Sequence, residues 1–485
     1  MRKLPRMWMC MLMLLPFMAI SHVQAAAPDT IWTRTYGGSS NDEAFKVIET
    51  SDGFYVLAGY TESFGAGESD VYLLKLDSNG DDIWIKTYGG EGNDAAYSVM
   101  ETSDGYYVVA GYTESFGNGG SDVYVLKLDE NGDTLWTRTY GSSSDDGAFS
   151  VIETSDGNYL VAGYTKSAGG GNVYLLMLDP DGDTLWTRNF GSSDNEEARE
   201  VIQASNGDFV IIGRSFSLFN GFWNVYYART DAEGDTLWTR LFGGNGYDGG
   251  YGIVETEDQG YVVLGYTSSS GNGGSDLYII GTDAGGILQW FRTQGGPEDE
   301  IGYSIAHALG EGYIIGAVTK SFGSGGEDAY FVKIDNYGNI IWFETYGGSQ
   351  DDGLYCAITI SDPGYLATGY TASMGAGEKD VYVLKFTQDA ISESPGSSRE
   401  KISLRAGSSL FSRKIDLYFS EVPGKPVEAV LYDASGRCLV EKQFDGSTKH
   451  VEIEGLGDLP SGVYFLEVAV SGMPGLSLRL VKVAR

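Results

Sequence analysis

Leu76-Asp77-Ser78-Asn79-Gly80-Asp81-Asp82-Ile83-Trp84 decides how the chain is read. The same pattern returns at Leu128 to Trp136, Leu178 to Trp186 and Thr230 to Trp238, then more loosely at Thr282 to Trp290 and Ile334 to Trp342. Trp32, Trp84, Trp136, Trp186, Trp238, Trp290 and Trp342 are spaced by 52, 52, 50, 52, 52 and 52 residues. A period of this size marks a solenoid or a propeller. Each unit reads as a tight Asp/Asn-Gly turn feeding a strand, whose indole can wedge against the neighbouring unit.

Working outward, the first unit has four strand candidates: Glu43 to Thr50, Phe54 to Thr61, Val71 to Leu76 and Ile83 to Tyr88. All are rich in Val, Ile, Tyr and Leu and are bounded by Gly, Asp or Ser. Four antiparallel strands per unit, seven times over, predict an all-β, seven-bladed propeller. The array opens on a lone outer strand, Ile31 to Tyr36, and its last unit stops at Val381 to Phe386. The N-terminal strand is therefore expected to complete the last blade and leave the ring no open edge. Connections of the Ser51-Asp52-Gly53 and Asp77 to Asp81 kind are short, whereas Gly37 to Asp42 and Glu62 to Asp70 are long. Both long sets leave one face, where function is expected.

The Asp-x-x-Gly-x-x-x-Trp turn resembles the tryptophan-docking repeat of quinoprotein propellers. The whole unit, with Gly-Tyr-Thr at Gly59 to Thr61 and Ser-Asp-Val-Tyr at Ser69 to Tyr72, looks like the β-propeller repeats of secreted bacterial proteins. That likeness spans 30–387 and implies a fold rather than an activity. Quinoprotein enzymes usually have eight blades and adjacent cysteines near the cofactor; here there are seven units and one cysteine.

The ends of the chain are of other kinds. Residues 1–26 read as a secretory signal: Arg2, Lys3 and Arg6, an apolar run from Met7 to Ile20, then Val23-Gln24-Ala25. Residues 389–400 have the Ser, Gly and Glu content of a linker. Residues 401–485 alternate as strands and predict a small Ig-like β-sandwich. In it Leu431 to Arg437, Leu459 to Phe465 and Leu480-Val481-Lys482 resemble the C-terminal sorting domain of type IX secretion, although Ala406-Gly407-Ser408 stands where that family often has a Pro-Asn-Pro-like segment. The resemblance implies passage across the outer membrane of a Gram-negative-type bacterium, with release or surface attachment. The expected division is thus 1–26 signal, 27–388 propeller, 389–400 linker and 401–485 sorting domain.

Charge is concentrated in the repeats. Residues 27–398 hold 17 Lys and Arg against 56 Asp and Glu, a net of −39. Such a body repels nucleic acid and anionic membrane, and suits an extracellular setting. After cleavage only Cys356 and Cys438 remain, in different domains, which is neither a disulfide framework nor a metal cluster. Of the three histidines, His22 leaves with the signal, His450 lies in the C-terminal domain, and His307 replaces Glu49, Glu101, Glu153 and Glu255 of other blades. A lone histidine there is expected to be hydrogen-bonded structure. The sequence has no nucleophile elbow, His-x-x-x-His or Cys-x-x-Cys-His, so no catalytic residue is assigned.

Two features of the long-loop face are candidate sites. An acid follows each tryptophan by ten residues: Asp42, Asp94, Asp146, Glu196, Asp248, Glu300 and Asp352. These could ring the channel mouth and hold Ca2+, or cap loop N–H groups within each blade. No other cofactor is expected. Blade four departs from the repeat. Arg199 stands where the others have Phe45, Tyr97, Phe149, Tyr251, Tyr303 and Tyr355, and Arg214 replaces the tyrosine of Gly-Tyr-Thr. The loop that follows carries Phe216, Phe219, Phe222 and Trp223. Aromatics beside arginines fit a glycan, an acidic peptide or a surface component, or the rings pack onto blade three. The sequence therefore reads as an exported, non-enzymatic binding propeller. The alternatives are a propeller enzyme (a carboxylate-pair hydrolase or a quinoprotein) and a purely structural surface protein.

Overall fold

A computed structural model of the protein describes residues 27–388, apart from 168–169, 192–194 and 218–220, and most of 404–482. Residues 1–26, expected as a signal, residues 389–400, expected as a linker, and Phe219 lie outside the described residues. Strands β1 (Thr30–Tyr36), β2 (Asp42–Glu49), β3 (Tyr55–Thr61), β4 (Asp70–Leu76) and β5 (Asp82–Tyr88) set the pattern. Each lies within a residue of its expected bounds. β2 to β5 form a four-stranded antiparallel sheet, and five more such sheets follow in sequence order. The seventh is built from Asp352–Ile360, Gly364–Thr371 and Asp380–Thr387, with β1 as its outer strand, Trp32 opposite Lys385 and Tyr36 opposite Val381. The ring closes with seven blades and no helix among the described residues.

The blades are held together on two levels. At the outside, each of the first six tryptophans lies on the turn glycine of the next blade. Gly80 has a φ of +82°, which glycine adopts without strain, and a Cβ there would fall 3.2 Å from the Trp32 ring. Trp32, Trp84 and Trp136 donate from Nε1 to the turn carbonyls of Ser78, Glu130 and Pro180 at 3.2, 3.2 and 3.3 Å. Two residues beyond the same three tryptophans' arginine or lysine, Tyr36, Tyr88 and Tyr140 donate to the carbonyls of Gly80, Gly132 and Gly182. Trp342 is different. Blade seven takes its outer strand from the other end of the chain and has no such turn to offer. Trp342 is accordingly buried among Phe331 and neighbours, and its Nε1 has no acceptor among the described residues.

On the short-turn face, glutamates at the ends of the innermost strands clip adjacent blades. Glu101 accepts from Ser51 N and Oγ, Glu153 from Ser103, Glu255 from Ser205 and Glu49 from Ser361, at 2.6 to 2.9 Å. His307 Nε2 lies 3.0 Å from Glu255 O, a structural hydrogen bond on an exposed ring. Between these levels the second and third strands are almost wholly buried, which is why β3 and β4 read as unbroken apolar runs.

The C-terminal unit forms two sheets. One has Leu404–Ala406, Ile415–Phe419 and His450–Ile453; the other has five strands in the order Leu410–Phe411, Leu476–Lys482, Gly462–Val470, Val427–Asp433, Cys438–Phe444. Ile415, Leu417, Val451 and Ile453 of the first pack with Val427, Ala429 and Leu431 of the second in one core.

Closure through β1 has a measurable consequence. Deleting residues 27–36 exposes the edge of Asp380–Thr387 and removes the Trp32 docking, and truncating a buried Trp costs about 3–5 kcal/mol. The deleted chain is expected to unfold at markedly lower urea than the parent; a superimposable denaturation curve would contradict ring closure.

Candidate functional site

The innermost strand of every blade carries a β-bulge at the same place. In β2 the register against β3 slips between Ala44 and Lys46, leaving Phe45 unpaired, and the six equivalent strands slip likewise. A bulge lets two successive residues point the same way. Phe45 and Lys46 therefore both face the central channel, three and four residues in from the long-loop end of the strand.

The bulge residues form an unbroken ring. Ring centroids are 4.7 Å apart for Phe45 and Tyr97, 5.0 Å for Tyr97 and Phe149, 5.0 Å for Tyr251 and Tyr303, 4.9 Å for Tyr303 and Tyr355, and 5.1 Å for Tyr355 and Phe45. Arg199 fills the remaining place, its guanidinium 4.0 Å from the centroid of Phe149 and 5.5 Å from that of Tyr251. One layer deeper, Lys46 Nζ lies 3.5 Å from Glu200 Oε1, joining blades one and four across the channel. Burial works against the Lys46 charge, but Glu200 and Cys356 together offset it and hold the ammonium above its usual pKa. Glu200 also accepts from Ile253 N at 2.8 Å. Ser98, Ser150 and Ser304 fill the equivalent places by accepting from N–H groups of the next blade, and Cys356 is buried there, its thiol pushed up by burial. Together the two layers enclose a cavity of about 260 Å³. A second hollow of about 230 Å³ adjoins it over blades two and three, sharing Tyr97 and Phe149 and adding Tyr112, Glu114, Asp145 and Tyr164.

The blade-four residues are brought together, around an acid. Glu197 Oε1 accepts from Arg199 Nη2 and from Arg214 Nε, each at 2.5 Å. Burial opposes the Arg214 charge, and the Glu197 carboxylate holds it above its ordinary pKa. Arg214 stacks 4.5 Å from the Trp223 ring, Trp223 meets Phe216 edge-on at 5.4 Å, and Phe222 meets Tyr247 edge-on at 5.3 Å. These rings are half-buried and pack on one another and on the loop leading into blade five. Of this set, Arg199 alone lines the channel cavity.

The carboxylates do not gather into a cation-holding ring. Asp42, Asp94, Asp146, Asp248, Glu300 and Asp352 are buried at 0% exposure and Glu196 at 4%, each within its own loops. Asp42 accepts from Thr61, from Ser63 Oγ at 2.7 Å and from Gly38 N at 2.7 Å; Glu300 accepts from Thr319 Oγ1 at 2.7 Å and Gly296 N at 2.6 Å. Asp94, Asp248 and Asp352 cap the same N–H position through Gly90, Gly244 and Gly348. A strand start buried between two long loops must satisfy those donors, so the side chains turn along the loops instead of into the channel. Among the described residues no three His, Cys, Asp or Glu lie together so as to hold a metal ion.

Sequence reasoning missed Glu197, Glu200, Lys46 and the bulge. The first three were visible as departures from the repeat: Lys46 and Glu200 stand where other blades have Ser98, Ser150, Gly252, Ser304 and Cys356.

A family model described as a domain of unknown function (DUF5122) beta-propeller matches residues 50–81 and 102–134. The regulatory protein FlaEY of Caulobacter vibrioides is 29% identical over 167 residues, covering 30% of this chain and 18% of that protein. The chain thus matches under a fifth of that relative's length. Among solved structures, a fungal alcohol oxidase of the AA5 family in complex with copper is 12% identical with a TM-score of 0.47, covering 94% of this chain and 100% of that one. The beta-propeller domain of the Trilobed protease from Pyrococcus furiosus is 10% identical with a TM-score of 0.35, covering 73% and 94%. These repeats are β-propeller repeats; no activity follows from likenesses at this level.

The cross-channel pair is testable by a double-mutant cycle. Lys46→Met and Glu200→Gln are each expected to lower stability, and the two together to lose less than their sum, with a coupling of about 1 kcal/mol in urea unfolding. Additive losses would mean that the pair does not span the channel in solution.

Proposed function

We propose that this is an exported binding propeller that takes the end of a neutral glycan into the channel mouth on its long-loop face. The observation that carries this reading is the closed ring of six aromatic side chains and Arg199 above a polar floor, opening sideways into the hollow over blades two and three. Sugar rings are amphipathic discs: their C–H faces stack on aromatic rings while their hydroxyls need polar partners at the edge. Tyr97, Tyr303 and Tyr355 supply faces, and Glu114, Asp145 and the tyrosine hydroxyls of the hollow supply edge partners. An acidic ligand is disfavoured, because both blade-four arginines are already engaged by Glu197 and the body carries a large negative charge. The N-terminal segment reads as an export signal, and the two-sheet C-terminal unit, taken as an Ig-like sandwich of the type IX sorting kind, would deliver the propeller to the outer surface. Removing residues 401–485 should then abolish surface display.

Probing the exported chain on a glycan array, and then by titration with the best-bound glycan, tests the site. Tyr97→Ala, which opens both hollows, is expected to weaken binding by about 1–3 kcal/mol. Trp223→Ala should leave affinity unchanged. The reverse result would move the site to the blade-four loop, and an array without any bound glycan would remove the reading.

A further inference from the structure

At four blade junctions two acids from different blades touch one glycine. A Cβ on Gly295 would fall 2.2 Å from Asp276 Oδ1 and 2.4 Å from Glu300 Oε2. On Gly141 it would fall 2.3 Å from Asp122 Oδ1 and 2.6 Å from Asp146 Oδ2. Gly89 relates Asp70 to Asp94 in the same way, and Gly37 relates Asp380 to Asp42. All eight carboxyl groups are buried, at 0–2% exposure.

In each pair the acid that starts a third strand spends one oxygen on its own loop. Asp276 Oδ2 accepts from Asn272 N at 2.8 Å and Asp122 Oδ2 from Asn118 N at 2.7 Å. The other oxygen lies over the same glycine as an oxygen of the neighbouring acid. Asp276 Oδ1 is fully buried there with no donor among the described residues. The titratable groups facing the pairs are phenols: Tyr330 faces Glu300, Tyr174 faces Asp146, Tyr124 faces Asp94 and Asp70, Tyr112 faces Asp94, and Tyr72 faces Asp42 and Asp380. Among the described residues no Lys, Arg or His forms an ion pair with any of the eight. Two buried carboxylates that converge on one glycine without a cation favour holding a proton between them. At two further junctions the third-strand position is a neutral amide, with Asn172 Oδ1 2.1 Å and Asn224 Oδ1 2.7 Å from the corresponding points on Gly191 and Gly243.

We infer that the Asp276–Glu300 and Asp122–Asp146 pairs each hold one proton between their two carboxyl groups, so that these two blade junctions lock more firmly in mildly acidic than in alkaline solution. Burial pushes the Asp276 and Asp122 carboxyls up; the Asn272 and Asn118 amides offset part of this, and the charges of Glu300 and Asp146 add to the rise. A carboxyl raised in the folded state contributes stability that is complete below the unfolded value of about 4 and is lost as pH rises through the folded value.

Asparagine at the same place in two blades indicates that the fold accommodates it, so Asp276→Asn and Asp122→Asn are the variants to use in the exported chain. Melting is followed from pH 4.5 to 8.5 at constant ionic strength, with Glu130→Gln, at an exposed turn, as the control for net charge. Each Asn variant is expected to melt about 2–4 °C above the parent at pH 8 and level with it at pH 4.5, with the control unchanged. The infrared C=O band of protonated carboxyl groups at pH 7 should shrink in the double variant. Variants melting level with or below the parent at pH 8 would overturn the inference. So would added Ca2+ raising the parent's Tm by an amount that Asp276→Asn abolishes, since the pair would then hold a cation.

Discussion

The docking of one blade's tryptophan on the next blade's turn glycine is the constraint from which the rest of the molecule follows. A blade is a twisted sheet that cannot cover both of its faces alone. The indole covers the neighbour's turn, its N–H takes a turn carbonyl, and the glycine's missing side chain sets how closely the two approach. Repetition of that contact at nearly constant spacing fixes the angle between blades. Seven such blades make a ring only if the first strand returns to the last sheet. The cost of that join is visible at Trp342, which is buried more fully than its half-buried equivalents while its N–H meets no acceptor among the described residues.

Closing the ring creates a second constraint at the axis. Seven innermost strands converge, and their side chains must share a narrow channel. The bulge at Phe45 and its equivalents resolves this by sending two successive residues inward. The bulky one stacks with its neighbours, and the next one is small or hydrogen-bonds to the adjoining blade. Where the small residue is replaced, Lys46 and Glu200 neutralise each other across the axis. The channel thus has an aromatic mouth above a polar layer.

Acidity is handled by location. Many of the acids lie at exposed turns, where water screens them. The acids at strand starts are buried because the long loops need acceptors for their N–H groups, and that need brings carboxyls of adjacent blades into contact. Blade four relieves the crowding differently, with Asn224 and Asn172 at its borders and two arginines sharing Glu197.

The sequence by itself determined the repeat, the number of blades, the strands of the first unit to within a residue and the closing role of β1. These follow from local signals, namely the Asp/Asn-Gly turns, the tryptophan period and the count of strands at the two ends. It also marked blade four as irregular, and it held the loop-capping role of Asp42 and its equivalents as one of two readings. Only the tertiary structure decided which way those acids turn, because a strand-start carboxylate can face the axis or its own loop with the same residue spacing. The bulge was equally hidden, since one extra residue in a strand leaves no mark in composition. The meeting of Arg199 and Arg214 on Glu197, the Lys46–Glu200 pair and the shared contacts of Asp276 with Glu300 all join residues whose distance is set by how strands and blades pack.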